Sequence, residues 1–365
     1  MEAAAASRCG PFPETCAAVA MPCLLNTCQR GALRAALQGR LIVVCFGAGV
    51  DSTAMLLALR AAGLRPGAIT FADTGGEKPE TLSHIERMQA ILRAWDWPPI
   101  EPCRVRTQSG TPYADLYGNC WTNETLPSLA FGMKSCSIRW KHVPQDQHLM
   151  GVTRGPNRRP PHPLWLRSRA QGERIVKLIG YDCGRADRRR ACATFAAGRA
   201  DGPFDFVYPL QLIGWTRADC VRAIAADLGP DMVPVKSACY FCPASRPWEL
   251  FWLAGHHPAL LDASLGLERR ALTGRHSRFD AVDFGSSWED MVRDAPSFPS
   301  TKTTVGLGRS FAWNHWARLN GVVGEDFIVL RGQRRRFIRL AQQLQSEDNA
   351  LDARAGLATG AGNAE

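Results

Sequence analysis

The segment that most limits the fold is Leu41–Phe46, followed by Gly47-Ala48-Gly49 and a helical pattern over Ser52–Ala62. A continuous aliphatic run bounded by glycine reads as a short strand buried on both faces. Gly63 stops the helix. A strand of this kind leading straight into a helix belongs in a parallel sheet covered by helices. The alternation continues downstream. Ala68–Ala72 reads as a second strand, and Pro79–Trp95 as a helix with Leu82, Ile85, Met88 and Leu92 on one face. Strands are expected at Ile175–Ile179 and Phe204–Tyr208. A helix is expected over Thr216–Leu228, capped by Thr216 with Asp219 in its first turn. The expected fold class is α/β: a doubly wound, mostly parallel sheet with a small, mostly helical C-terminal addition.

Residues 1–38 read as a partly disordered extension with one short helix near Arg30–Gln38, and 39–270 as the main α/β domain. Within that domain, 153–172 is a basic, Pro- and Gly-rich insertion read as a long loop. Residues 271–345 form a C-terminal subdomain and 346–365 a disordered tail. Apolar residues make up 45% and charged residues 21%, as in an ordinary globular protein. The apolar runs fall far short of the ~20 residues of a spanning helix, so no membrane association is expected. The thirteen Cys are odd in number and irregularly spaced. With no basic N-terminal leader, this argues against a disulfide scaffold and for a reducing cytoplasm.

A small-residue loop between a strand and a helix presents successive backbone N–H groups, and the helix N-terminus, to an anion. Gly47, Ala48 and Gly49 permit close approach, and Ser52 and Thr53 add hydroxyls. No Lys stands where a Walker A loop needs one. Gly47-Ala48-Gly49-Val50-Asp51-Ser52 matches two glycines of the dinucleotide fingerprint, and Asp73 ends the next strand near the ribose-binding position. A plain tight turn is the third reading of the segment alone.

The loop also resembles the Ser-Gly-Gly-x-Asp-Ser loop of the PP-loop superfamily, the adenine nucleotide α-hydrolases and sulfonucleotide reductases. Gly49, Asp51 and Ser52 match it, while Gly47 and Ala48 depart from its Ser and first Gly. Four further segments resemble the phosphoadenosine phosphosulfate reductase branch. They are Phe71–Thr81 with Asp73-Thr74-Gly75; Ser135–Pro144 with Ser135 where the branch has its first Cys; Ile179-Gly180-Tyr181-Asp182 with Arg188 downstream; and Tyr208-Pro209-Leu210 with Trp215-Thr216-Arg217. The resemblance spans roughly 40–270. It implies a PP-loop fold and ATP with Mg²⁺. Phe46, Gly47, Ala48, Gly49, Val50, Asp51, Ser52, Thr53, Asp73, Thr74, Gly180 and Lys236 would line the nucleotide, and Asp51, Lys141 and Arg188 would act in catalysis.

Cys239-Tyr240-Phe241-Cys242 is a Cys-x-x-Cys pair. Related enzymes hold an iron–sulfur cluster with such a pair and a distant cysteine segment. The resemblance thus makes Cys136, Cys239 and Cys242 candidate ligands of a cluster with an open iron. Zinc with a fourth ligand such as Cys120 is the second reading, and an unligated or redox pair the third. The implied reaction is cleavage of the α–β bond of ATP, adenylating an acceptor for sulfur transfer or a similar modification. The acceptor would be a nucleotide or nucleic acid, and the sulfur donor another protein. Sulfonucleotide reduction is the rival, though no Cys follows Cys242 to serve as its nucleophile. A non-catalytic nucleotide- or nucleic-acid-binding component of a modification or defence system is the other alternative. No oligomeric state follows from the sequence.

The formal charge is +10. Between Arg154 and Arg190, eleven basic residues face three acidic ones, a net of +8. A second basic run holds Arg331, Arg334, Arg335, Arg336 and Arg339. Both fit either solvated faces or the rim of a site for a polyanion. Gly306–Arg309 reads as a turn or as a phosphate contact.

Overall fold

The structure, a computed structural model, describes residues 24–131, 135–196, 202–273, 306–309 and 311–360. The expectations for residues before 24 and for 274–305 lie outside the described residues. Five parallel strands form one sheet in the order β3-β2-β1-β4-β5. They are β1 (Leu41–Cys45), β2 (Ala68–Ala72), β3 (Ile100–Cys103), β4 (Ile175–Ile179) and β5 (Phe204–Val207). Val44 of β1 stands opposite Ile69 of β2 and Leu178 of β4. This order is consistent with a Rossmann-like or nucleotide α-hydrolase fold, and the expected α/β class is borne out.

β1 shows why the aliphatic run is continuous. Ile42, Val44 and Phe46 belong to one buried cluster, Leu41 and Val43 to another. With a side-chain period of two, both faces need apolar residues. The first cluster holds α1 (Thr27–Leu37), α2 (Val50–Ala61), α3 (Pro79–Ala94) and Ile224 of α8 (Arg217–Asp227). α1 is therefore no loose extension. Its Leu33 and Leu37 are fully buried, and Arg34 Nε donates to the Ala62 carbonyl at 2.7 Å. β3 escaped sequence reading because Pro102 sits inside it. Only an edge strand tolerates the missing N–H, and β3 is one.

Between β3 and β4 lie α4 (Leu116–Thr122), α5 (Val143–Met150), α6 (Pro163–Gln171) and, after β4, α7 (Arg185–Ala196). The basic insertion is thus not all loop. Pro163 opens α6, and the His162 ring nitrogen accepts from Leu164 N–H as its cap. α5 grips the sheet by three polar contacts. Thr70 of β2 donates to Gln145 at 2.6 Å, buried Lys177 of β4 pairs with Asp146, and His148 pairs with Glu101 of β3. Burial alone would raise the Glu101 pKa. Hydrogen bonds from His148 and His162 outweigh it and hold the carboxyl at about 2. A carboxyl depressed in the folded state stabilises above its ordinary pKa and loses that contribution as pH falls toward 2. Acid titration of unfolding should therefore show a slope between about pH 4.5 and 2 that Glu101→Gln lacks. Equal slopes in both proteins would contradict the pairing.

The C-terminal helices build a second core around α9 (Pro247–His256), α10 (Pro258–Thr273), α11 (Trp313–Leu319) and α12 (Arg334–Gly360). α12 continues through most of the segment expected to be a disordered tail. Glu268 of α10 is fully buried and pins this layer. It accepts from the N–H groups of Leu307, Trp313 and Asn314 at 2.5, 2.8 and 2.7 Å, and from Asn314 Nδ2 at 2.7 Å. Gly306 and Arg309 form an antiparallel bridge beside it, so this segment is a turn. Among the described residues, no helix is long and apolar enough to cross a membrane.

Candidate functional site

Strand order reverses between β1 and β4, so the crevice of the sheet opens at their carboxyl ends. The glycine loop lies there. Ala48 is buried and adopts φ 53°, a left-handed conformation that costs a non-glycine residue ~1–2 kcal/mol. Ser52 accepts from the Gly49 N–H at 3.2 Å and donates to the Gly49 carbonyl at 3.1 Å, bracing the turn. Gly180, ending β4, lets the α2 N-terminus pack against it. A Cβ there would lie 2.8 Å from the Ser52 backbone nitrogen and 2.9 Å from its Cα. Gly180→Ala should destabilise the fold by ~1–3 kcal/mol, the usual cost of overpacking. It should also weaken ligand binding at the loop. Denaturant titration checks the first effect, and an unchanged midpoint would contradict it.

Three residues predicted to bind ligand direct their side chains elsewhere. Phe46 is buried and stacks on His84 at 6.3 Å. Val50 is core. Thr53 Oγ1 lies 2.9 Å from His84 Nε2, so its hydroxyl does not serve the loop as expected. Burial, aided by Arg87, lowers the His84 pKa to about 4, leaving it neutral.

Asp51 occupies the first turn of α2 and pairs with Arg217 at 2.6 Å. Its second oxygen is buried without a hydrogen-bond partner. Asp51, Asp182 and Asp187 each bring one carboxylate oxygen within 4.8 Å of the others. Burial raises the Asp51 pKa to about 6. Arg217 opposes the rise, and Asp182 and Asp187 add to it. Arg188, the next residue of α7, is exposed and interacts with the Cys183 thiol.

At the end of β2, Asp73 is buried. Its Oδ1 accepts from Gly75 N–H at 2.9 Å, and its Oδ2 pairs with Arg104 at 2.6 Å. Thr74 Oγ1 donates to Glu77 at 2.8 Å and lies 3.1 Å from Cys239 Sγ. The Cys-x-x-Cys loop docks on this turn through a Glu77–Cys239 bridge and a Tyr240 N–H to Gly76 carbonyl bond of 2.9 Å. Gly76 leaves room for it, since a Cβ would meet the Phe241 ring at 2.5 Å. Cys136 enters from a helical segment with a π-turn at Ile138–His142, a feature frequent at functional sites.

Lys141 of that π-turn stands in the field of Cys239, Glu77, Cys242 and Cys136. Burial disfavours its ammonium, but these groups outweigh it and hold the pKa above the ordinary lysine value. Burial pushes Cys239 and Cys120 up to about 12, and Cys120 feels both Cys136 and Cys239. The three candidate thiols thus share one neighbourhood. A tetrahedral zinc site needs sulfurs roughly 4 Å apart. Among the described residues no three of these sulfurs lie within 4.8 Å of one another, so a closed zinc geometry does not fit as the side chains stand.

Lys236, read as a phosphate ligand, donates to the fully buried Glu249 at 2.6 Å and to the Ala244 carbonyl at 3.1 Å. Glu249 also meets the buried Lys78 at 3.4 Å. The neighbouring Ser237 covers the glycine loop, with its Oγ 2.6 Å from where a Gly49 Cβ would lie. Sequence reading missed Arg104, Lys78, Ser237 and Glu249. It placed Arg217 in a helix start without its partner. Arg217 follows a capping Thr in a legible motif, so one signal was present; the others depend on contacts far apart in sequence.

No model of a known protein family matches the chain, and none of the curated proteins compared matches it. The functional reading therefore rests on this geometry and on the resemblance of the motifs.

Proposed function

We propose that the chain is a PP-loop enzyme of the phosphoadenosine phosphosulfate reductase branch. In this reading it binds ATP at the glycine loop, cleaves the α–β bond and adenylates an acceptor for sulfur transfer or a related modification. One observation carries the reading. The glycine loop, the Asp73–Thr74 turn, the Gly180 turn and the Cys-x-x-Cys loop, drawn from across the chain, gather at the carboxyl edge of a 3-2-1-4-5 sheet. Gly47, Gly49 and Ser52 would hold the pyrophosphate end. Asp51, with one oxygen orphaned, suits Mg²⁺ that would neutralise phosphate charge. Lys141 and Arg188 would balance charge nearer the acceptor. Catalysis of this kind is mainly positioning and electrostatic stabilisation.

The fit of the thiols to a metal centre is partial. Their neighbourhood suits a cluster, which would supply sulfur-binding iron. Cys136, Cys239 and Cys242 would be its ligands, and the raised Cys239 pKa means that binding must displace a proton. Calorimetric titration tests the nucleotide reading. ATP with Mg²⁺ should bind and pyrophosphate should compete, while NAD should not bind. NAD binding with no ATP binding would favour the dinucleotide alternative.

A further inference from the structure

The β3 side of the site carries unbalanced positive charge. Arg104 leaves the end of β3, where its Nε donates to Asp73 at 2.7 Å. Its guanidinium side chain is 66% exposed while the carboxylate's is 9% exposed, so a buried acid holds an outward-facing cation in place. Two residues on, Arg106 is also exposed, and its carbonyl accepts from Asn157 Nδ2 at 2.7 Å. That bond ties the β3 exit to the hairpin at 151–162, whose arms pair Val152 with Arg159. Arg159 donates to Gln147 at 2.9 Å, but its Nε is buried with no partner. Burial, reinforced by neighbouring Arg106, pushes the Arg159 guanidinium below its ordinary pKa.

Two acids on this side are already paired, Glu101 with His148 and His162, and Asp73 with Arg104, while Asp115 caps the Gly118 N–H. Arg106 and Arg159 lie within electrostatic reach of each other, and such like charges repel until an anion joins them. The hairpin extends the patch with exposed Arg154 and Arg158. A single nucleotide would present its phosphates at the glycine loop. A surface spread over a strand exit and a hairpin matches repeated phosphates.

We propose that Arg104, Arg106 and Arg159, with the 151–162 hairpin, form a docking surface for the phosphate backbone of a nucleic-acid strand beside the glycine loop. Only the role of that strand as the acceptor rests on the ATP reading; its binding does not. The test is fluorescence anisotropy of labelled single-stranded DNA, single-stranded RNA and duplex DNA over a salt series. The full chain is used as wild type, Arg106→Ala/Arg159→Ala, Arg106→Lys/Arg159→Lys and Arg334→Ala/Arg335→Ala, with ATP binding measured in parallel. The alanine pair should weaken binding about tenfold or more and reduce the salt slope by ~2, one for each lost phosphate contact. The lysine pair should retain most of the binding. The Arg334/Arg335 pair on α12 should stay within about twofold, being away from this surface. Three results would overturn the proposal: no binding of any probe, unchanged binding in the alanine pair, or a loss confined to the α12 variant. Parallel loss of ATP binding in the alanine pair would also overturn it, by showing damage to the whole site. Nucleic-acid binding as described, without ATP cleavage, would remove the acceptor reading and leave the docking surface standing.

Discussion

Asp51→Asn should lower formation of AMP and pyrophosphate from ATP by at least about a hundredfold, in the range seen when a transition-state charge contact is lost. The carboxylate pairs with Arg217 and keeps one buried oxygen without a hydrogen-bond partner. Asn keeps the shape and removes the charge that would hold Mg²⁺. Stability should move the other way. The folded-state pKa of about 6 lies above the ordinary 3.8. The folded protein therefore binds this proton more tightly than the unfolded chain. Ionised Asp51 costs stability progressively as pH rises from 3.8 through 6, and the cost is complete above that. At pH 7 the Asn variant should melt at the wild-type temperature or above it. Activity lost together with several degrees of melting temperature would mark Asp51 as structural.

Glu268→Ala should destabilise the C-terminal core by ~3 kcal/mol or more. The substitution strands three buried backbone N–H groups and one side-chain amide, each carrying a desolvation cost of roughly 1–3 kcal/mol when unpaired. It also uncaps α11, whose first residues are the Trp313 and Asn314 that Glu268 receives. Burial raises the Glu268 pKa even against those donors, so the carboxylate is itself costly, and some of the loss will be returned. Chemical denaturation monitored by tryptophan fluorescence suits the measurement, because Trp313 and Trp316 lie in this core. A loss below about 1 kcal/mol, the cost of one ordinary hydrogen bond, would show that the layer does not depend on this carboxylate.

The parts of the fold that were legible depend on short-range signals. β1, β2 and β4 are short, predominantly apolar runs, and two of them, Ala68–Ala72 and Ile175–Ile179, coincide with the expected ranges. α8 was legible from Thr216 and Asp219, which form the capping box seen in the structure. The failures have physical causes. A proline hid the edge strand β3. Arg- and Pro-rich composition hid α6, whose start uses Pro163 constructively. Alanine-rich surroundings hid the anchoring role of Leu33 and Leu37.

The site divides in the same way. Its loop residues stand in one continuous stretch, so the glycine turn and the Asp51–Ser52 helix start could be read directly. Its electrostatics could not. Asp51 meets Arg217 across 166 positions, and Lys78 meets Glu249 across 171. Asp73 meets Arg104 only because β2 and β3 are neighbours in the sheet. Lys236 is another case. A basic residue beside the Cys-x-x-Cys loop reads as a phosphate ligand, and only the fold reveals buried Glu249 as its partner.

The central claim is that this crevice directs cleavage to the α–β bond of ATP, and product identity tests it most directly. The chain, purified without oxygen, is incubated with Mg²⁺ and ATP labelled in parallel at the α- and γ-phosphates, with Asp51→Asn as control. The account predicts that α-label appears as AMP or an adenylated acceptor and γ-label as pyrophosphate, both absent with the variant. Release of ADP and inorganic phosphate by the wild type, or AMP formation undiminished in Asp51→Asn, would contradict it.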